Sequence, residues 1–431
     1  MPPSLPSPHP QRTALHNEIH ARPPEALTPP LAISHVVMWA DAARREASRE
    51  HLAALLRDNH LAPPDARMTH LRADLGTFHV RWELHTEFIS WTFSAPLQAQ
   101  GFGRQEPAGA LAAVPREWLA ALPGQCLCQL NLWVLQMGTL PDSALLAHVL
   151  REETLVASSI ADGHAQVFTD FALQADGSSR MVLLAGAMSP RRVGRAVQRL
   201  LEIETYRMTA LMGLPVAREA GEALAQAERE LAALAEAIRV AERDAEAQLL
   251  DRLTRLAGQV ESLYAATHAR FSASSAYFEL VDRRIRDIGE ARLRNLQTIG
   301  EFMDRRLSPA RSTCEWAVRR QNALSERVSR VSNLLRTRVE IAQEQGTQQL
   351  LASMNQRQDM QLRLQSTVEG LSVAAITYYV VGLVSYLAKG AQTLGWPWSP
   401  ESTAAVAIPV VALGVWWSLR RMHHRLFRNM H

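Results

Sequence analysis

The sequence predicts an α+β cytoplasmic domain, followed by long coiled-coil-like helices and a two-helix transmembrane hairpin. Three observations predict this order. Short apolar runs with turn residues between them alternate with helical patterns over residues 31–189. Apolar residues at heptad-like spacing fill residues 190–367, and two uncharged apolar runs lie within residues 368–419. A proline-punctuated, extended arm over residues 1–30 and a basic tail over residues 420–431 flank these units.

Strands and helices alternate in the predicted α+β domain. Runs rich in β-branched and aromatic residues predict strands, and leucines three or four positions apart predict helices. The predicted strands span residues 33–39, 68–73, 78–84, 87–93, 127–136, 167–174 and 180–187. The predicted helices span residues 42–59, 115–122 and 142–153. This mixed order favours the α+β class.

From residue 190 the pattern is helical. A first helix over residues 190–211 is predicted to end at Gly213 and Pro215. Three apolar seams follow, and the second is predicted to end at Ser308-Pro309. The seams begin with Leu224, Leu231, Leu234, Ile238 and Leu249 in the first, with Phe278, Val281, Ile285 and Ile288 in the second, and with Leu324, Val328, Val331 and Leu335 in the third.

Such seams indicate coiled-coil packing, either within one chain or between chains. Ordinary amphipathic helices in a single bundle are the alternative. We expect contacts between chains through Leu231, Leu234, Ile238 and Leu249. The chain is therefore predicted to form a homo-oligomer.

The two apolar runs, at about residues 370–388 and 402–419, are long enough to cross a bilayer as helices. A buried helical hairpin in a soluble core is the alternative. Arg420, Arg421, Arg425 and Arg428 follow the second run, whereas the loop between the runs carries only Lys389 and Glu401. The positive-inside rule then places both the N-terminus and the C-terminus in the cytoplasm.

Bulk composition narrows the choice of partners. The net charge of the 431 residues is only +3, and much of the basic excess lies in the tail. This distribution predicts contact with membrane lipid and no nucleic-acid partner. No phosphate-binding loop, dinucleotide fingerprint, nucleophile elbow or zinc-type Cys/His spacing occurs, so the sequence gives no positive support for an enzyme or for a cofactor.

Two clusters contain residues with metal-binding side chains. In the N-terminal arm, His16, Glu18 and His20 can present two imidazoles and a carboxylate to a divalent metal ion. A docked arm that hydrogen-bonds to the body, with Arg22 paired to a carboxylate, is the alternative.

The second cluster is the charged face of the predicted strand at residues 78–84 and the segment that follows it. Period-2 alternation places His79, Arg81, Glu83, His85 and Glu87 on one face. A solvated sheet face with cross-strand ion pairs explains this pattern without a function. If the arm packs on this face, His16, Glu18, His20, His85 and Glu87 can converge on one metal.

Three long strings resemble the hallmarks of a bacterial family of membrane-anchored proteins, catalogued as a domain of unknown function. They are His-Asn-Glu-Ile-His-Ala-Arg-Pro at residues 16–23, Arg-Trp-Glu-Leu-His-Thr-Glu-Phe at residues 81–88, and residues 194–207. The motif residues, besides the histidines and glutamates above, are Asn17, Arg22, Pro23, Arg81, Trp82, Arg199, Glu202, Glu204, Tyr206 and Arg207. The resemblance implies an inner-membrane location and a multi-pass topology, and it implies no activity.

The order of units is also similar to that of CorA-type magnesium transporters. Those proteins carry Gly-Met-Asn at the end of the first span, where this chain has Lys389-Gly390, and a lysine there would repel a cation. The sequence thus predicts a non-enzymatic, self-associating scaffold or sensor at the inner membrane. A CorA-like oligomeric ion channel or transporter is the second hypothesis, and a metal-dependent enzyme that uses the His/Glu clusters is the third.

Overall fold

The computed structural model describes residues 7, 9–13, 15–16, 23–97, 107–138, 146, 149–241, 245–293, 295–392, 395 and 397–427. The chain forms two compact units. The first comprises Met1–Val240 and Leu249–Ser332, and the second comprises Ala241–Gln248 and Asn333–His431. The predicted fold class is confirmed, because a mixed sheet is followed by long helices and by two apolar helices near the C-terminus.

Within the described residues, nine strands form one sheet. They are β1 Leu31–Trp39, β2 His70–Asp74, β3 His79–Leu84, β4 Phe88–Pro96, β5 Gln125–Gln136, β6 Val156–Ile160, β7 Ala165–Thr169, β8 Ser179–Ala185 and β9 Ala291–Arg292. The spatial order is β2-β3-β4-β1-β5-β8-β7-β6-β9. Neighbouring strands are antiparallel, except β5 and β8, which are parallel.

The helices, in chain order, are α1 Ala42–Asp58, α2 Arg116–Ala120, α3 Pro190–Leu211, α4 Gly213–Val240, α5 Glu246–Ile288, α6 Ile299–Gln392 and α7 Pro400–Phe427. Helix α1 begins after Asp41, whose carboxylate accepts the main-chain N–H of Arg44 at 2.8 Å and so caps the helix. Helix α3 begins with Pro190. Proline suits this position because it has no main-chain N–H, and an N–H in the first turn would have no partner within the helix.

Both faces of the sheet are covered in the first unit. On one face, Ile33 of β1 packs in a core with Val197 and Leu200 of α3 and with Phe278 of α5. On the other face, Val36 packs in a second core with α1 and with several tryptophans. Since β1 lies in the middle of the sheet, both of its faces are buried, which explains its nearly continuous apolar sequence.

Leucines of the first predicted seam are buried within one chain. Leu231 and Leu234 of α4 and Leu249 of α5 all have less than 9 % of their surface exposed. Coiled-coil packing is predicted either within one chain or between chains, and these three leucines pack within one chain. Helix α3 also packs on the sheet within the first unit. The predicted domain boundary after residue 189 stays a prediction.

The predicted helix end at Ser308-Pro309 is wrong. Helix α6 continues through Pro309, although a proline removes one main-chain hydrogen bond inside a helix. The buried row Leu307, Ala310, Cys314 and Ala317 recurs every three or four residues on both sides of Pro309. This packing holds the helix together across the proline.

Two helices are long and apolar enough to cross a membrane. They are the C-terminal part of α6 and the stretch Pro400–Ser418 of α7. Almost none of their apolar residues is buried by the protein itself. Tyr378 and Tyr386, for example, are 77 % and 78 % exposed.

Candidate functional site

A polar layer lies between the sheet and helices α3 and α5. It is formed by side chains of β1, β3 and β4 that point away from the tryptophan-rich core. Glu83 is only 7 % exposed there, so the alternative of a solvated charged face is wrong for this residue. The reason is that the layer supplies partners for each of its charges, as the following contacts show.

His35 lies at the centre of this layer, between two threonines. Its Nδ1 is 2.8 Å from the Thr92 hydroxyl, and its Nε2 is 2.9 Å from the Thr205 hydroxyl of α3. Because Thr205 donates its own proton to the Leu201 carbonyl, it accepts from Nε2–H, and Nδ1 accepts from Thr92. Burial lowers the pKa of His35 to about 3, an effect that the nearby Glu83 carboxylate opposes. His35 is therefore neutral, and its two hydrogen bonds link β1 to β4 and to α3.

Arg81 and Glu83 form an ion pair on β3, with 2.6 Å between Arg81 Nη2 and Glu83 Oε1. Ser90 of β4 donates to the other oxygen of Glu83 at 3.3 Å. Trp82, which points to the opposite face, is fully buried and donates its indole N–H to Ser48. On this part of β3, one face therefore carries the ion pair of Arg81 and Glu83, and the other face packs Trp82 into the core.

Helix α3 contributes a second set of paired charges. Arg207 donates to both oxygens of the buried Glu204, at 3.0 and 2.6 Å. Ser179 of β8 also donates to Glu204. Two residues earlier on α3, Glu202 pairs with Arg284 of α5. These contacts lock α3 against β8 and α5.

Tyr206 stacks on Tyr277 of α5, with 5.9 Å between ring centroids. Arg199, two turns earlier on α3, is half-buried. Glu87, in the turn after β3, accepts two hydrogen bonds from Arg270 and a third from Tyr277. Burial and the Glu87 carboxylate raise the pKa of the Tyr277 phenol, so this phenol stays protonated as a donor.

An open cleft of about 680 Å³ lies beside these aromatic residues. Its lining is Ala42, Arg45, Glu46, Thr69, Leu84, His85, Thr86, Phe88, Tyr206, Tyr277 and Leu280. His85 stacks on Phe88 at 4.2 Å and also lies 3.4 Å from the Ser90 hydroxyl through Nε2. The second and third motif strings therefore meet at this cleft through His85 and Tyr206.

The described end of the N-terminal arm lies against α3 and β2. Arg72 of β2 donates to the carbonyl of Pro23, and the Leu27 N–H donates to the carbonyl of Pro190. A Cβ at Gly194 would lie 1.6 Å from the Glu25 carbonyl oxygen, so only glycine fits there. The segment that directly follows the first motif string thus packs against the start of the third string, where Glu25 meets Gly194.

The predicted shared metal site stays a prediction. Within the described ranges, no group of three or more His, Cys, Asp or Glu side chains is placed to hold a metal ion. Asn17, Glu18, His20 and Arg22 lie outside the described residues, whereas His16 lies in a short helical turn. Glu87 forms an ion pair with Arg270.

The sequence pattern does not distinguish Arg45, Arg270 and Tyr277 as candidate site residues. They occur in helices whose patterns resemble those of ordinary amphipathic segments. One signal could have indicated Arg270: the mostly buried Glu87 carboxylate needs a cation as its partner. In the folded chain that cation comes from a residue 183 positions away.

One family model matches residues 7–426, and its description is protein of unknown function (DUF3422). No curated protein and no solved structure matches the chain. The predicted similarity to CorA-type transporters is not shown by these comparisons and stays a prediction.

Proposed function

The chain belongs to the family of proteins of unknown function (DUF3422), and from this premise we propose that it is a membrane-anchored scaffold or sensor without catalytic activity. Its body faces the cytoplasm, and copies of it associate at the inner membrane. The observation that carries the proposal is the exposure of the two apolar helices. Soluble monomers rarely expose such large apolar patches, whereas a bilayer would cover them.

Charges at the end of α7 support the orientation. The guanidinium of Arg420 lies 4.9 Å from the Trp416 ring centroid, and that of Arg421 lies 5.0 Å from the Trp417 ring centroid. Tryptophan favours the membrane interface, and arginine there favours the cytoplasmic, anionic side. This pattern supports a cytoplasmic tail and contact with anionic lipid.

Self-association is supported by the part of α6 within the second unit. Leu350, Met354, Leu364 and Val368 are all more than half exposed on this helix before the first apolar span. The spacing of four residues within each pair places its members on one side of the helix. We take a second copy of the chain as the partner, because anchoring in one bilayer raises the local concentration of parallel helices.

Extraction of membranes with alkaline carbonate tests the anchoring. The full chain should stay in the membrane pellet. Tyr379→Arg combined with Val410→Arg should release it, since a charge at the centre of a span costs about 2.5–3.5 kcal/mol. Leu173→Arg, at a 71 % exposed position in the body, is the matched control and should stay in the pellet. Release of the unaltered chain would contradict the proposal.

A further inference from the structure

The cleft beside His85 has the size of a binding site for one small molecule. Its volume of about 680 Å³ falls within the range that is usual for such sites, roughly 300–1,000 Å³. Its lining comes from helices α1, α3 and α5, from the turn between β3 and β4 with the adjoining ends of both strands, and from Thr69 just before β2. The Glu87–Arg270 pair and the packing of α3 on the sheet hold these elements in place.

One wall of the cleft is aromatic. His85 and Phe88 are stacked at 4.2 Å, Phe88 lies 6.3 Å from Tyr277, and Tyr277 is stacked on Tyr206 at 5.9 Å. Ring contacts at these separations are favourable. The four rings therefore form a continuous row that a flat ligand ring can extend.

Arg45 gives the cleft a cation. Its Nη1 donates to the main-chain oxygen of His85 at 3.0 Å, and among the described residues no carboxylate pairs with it. Glu46 and Glu87 are already paired, with Arg49 and Arg270 respectively. A guanidinium has five N–H donors, so Arg45 keeps donors for an anion.

We propose that this cleft binds a small anion with a flat ring. The ring lies against the aromatic row, and a phosphate or carboxylate group on it meets the Arg45 guanidinium. Thr69 and Thr86 also line the cleft and offer hydroxyl groups to the same anion. This inference goes beyond membrane anchoring and self-association, because it concerns only the cleft in the first unit. Its test does not depend on the outcome of the anchoring test.

Calorimetric titration of the full chain in detergent micelles tests this inference with four probes. Phenyl phosphate and benzoate carry both a ring and an anionic group, and they separate the two anion chemistries. Inorganic phosphate lacks the ring, and benzyl alcohol lacks the charge. At least one ring-bearing anion should bind roughly tenfold more tightly than both partial probes, because it alone uses both the guanidinium and the rings. If inorganic phosphate or benzyl alcohol binds as tightly as the preferred ring-bearing anion, or if neither ring-bearing anion binds, the proposal is overturned.

Variants locate the binding to the cleft. Arg45→Ala should weaken the preferred probe roughly tenfold, since a hydrogen bond to a charged group is lost. Tyr206→Leu should also weaken it. Arg44→Ala removes a cation from the same helix at an exposed position outside the cleft and should leave the affinity unchanged. If Arg45→Ala does not fold, Arg45→Lys, which keeps the charge without the planar fork, should bind more weakly than the unaltered chain. Equal affinities of the Arg45 and Arg44 variants would rule out this site.

Discussion

Arg270 and Glu87 form a bidentate ion pair that joins helix α5 to the turn after β3. The two N–O distances are 2.9 and 3.1 Å, and both side chains are mostly buried. The Arg270 guanidinium also lies 5.2 Å from the ring centroid of Trp39 at the end of β1. One arginine thus connects the helical layer to two parts of the sheet.

The first prediction concerns this pair. Arg270→Ala should lower the free energy of unfolding by about 1.5–3 kcal/mol, because Glu87 loses two charge-assisted hydrogen bonds. A double-mutant cycle with Glu87→Gln, read by thermal or chemical unfolding, should give a positive coupling energy. The Glu236–Arg239 pair on α4 is the matched control, since both side chains are exposed to solvent and the pair should show a much smaller coupling energy. Equal coupling energies for the two pairs would mean that the Arg270 bridge contributes no more than a surface ion pair.

The second prediction concerns the contact of the arm with α3. Gly194→Ala should displace residues 23–27, because the new methyl group would overlap the Glu25 carbonyl oxygen. Cleavage after Glu25 by a glutamate-specific protease should then become faster. Gly258→Ala on α5 is the control, since its methyl group meets no atom within 4 Å. Unchanged cleavage in Gly194→Ala would show that the arm is not held there.

The third prediction concerns pH. His35 has a folded-state pKa of about 3 against an ordinary value of 6.5, so between these values the unfolded chain binds a proton that the folded chain excludes. The free energy of unfolding should therefore fall by up to about 1.4 kcal/mol per pH unit as the pH decreases from 6.5 towards 3. His35→Gln should remove this part of the slope in unfolding experiments at several pH values. An identical slope in both proteins would refute the assignment of a neutral, buried His35.

The fourth prediction separates packing inside the chain from contact between chains. Leu234→Ala, at a fully buried position, should cost about 2–5 kcal/mol of stability and leave the oligomeric state unchanged. Leu350→Ala combined with Leu364→Ala, at positions that are 62 % and 69 % exposed, should do the reverse and weaken cross-linking. Stability follows from unfolding curves, and self-association follows from cross-linking in membranes. A loss of cross-linking in Leu234→Ala, without a loss in the Leu350 and Leu364 variant, would instead favour contact between chains through the first seam.

Much of the fold could be predicted from the sequence, because the spacing of apolar residues along a strand or helix follows which of its faces is buried. The apolar run of β1 and the hairpin signal at Asp176-Gly177 correspond to strands in the structure. Strand β6, Val156–Ile160, was not predicted, since two of its five residues are serines whose burial depends on partners elsewhere in the chain. Ser158, for example, donates to Glu290 across 132 residues.

The candidate site was predicted only in part, for the same reason. His85 and Glu87 stood out because they lie in one short string, whereas Arg45 and Arg270 come from helices that no local pattern connects to them. Charge pairing and ring stacking between distant segments become visible only once the chain is folded. Pro309 shows the converse case, in which a strong local signal is overridden by packing on both sides of it.

Cysteine labelling of intact spheroplasts tests the membrane topology most directly. Trp398→Cys places a thiol in the loop between the two spans, and the native Cys126 is an exposed thiol of the body. A membrane-impermeant maleimide should label Trp398→Cys in intact spheroplasts and should label Cys126 only after permeabilisation. Labelling of Cys126 in intact spheroplasts, or protection of the loop cysteine until permeabilisation, would contradict a cytoplasmic body held by two membrane spans.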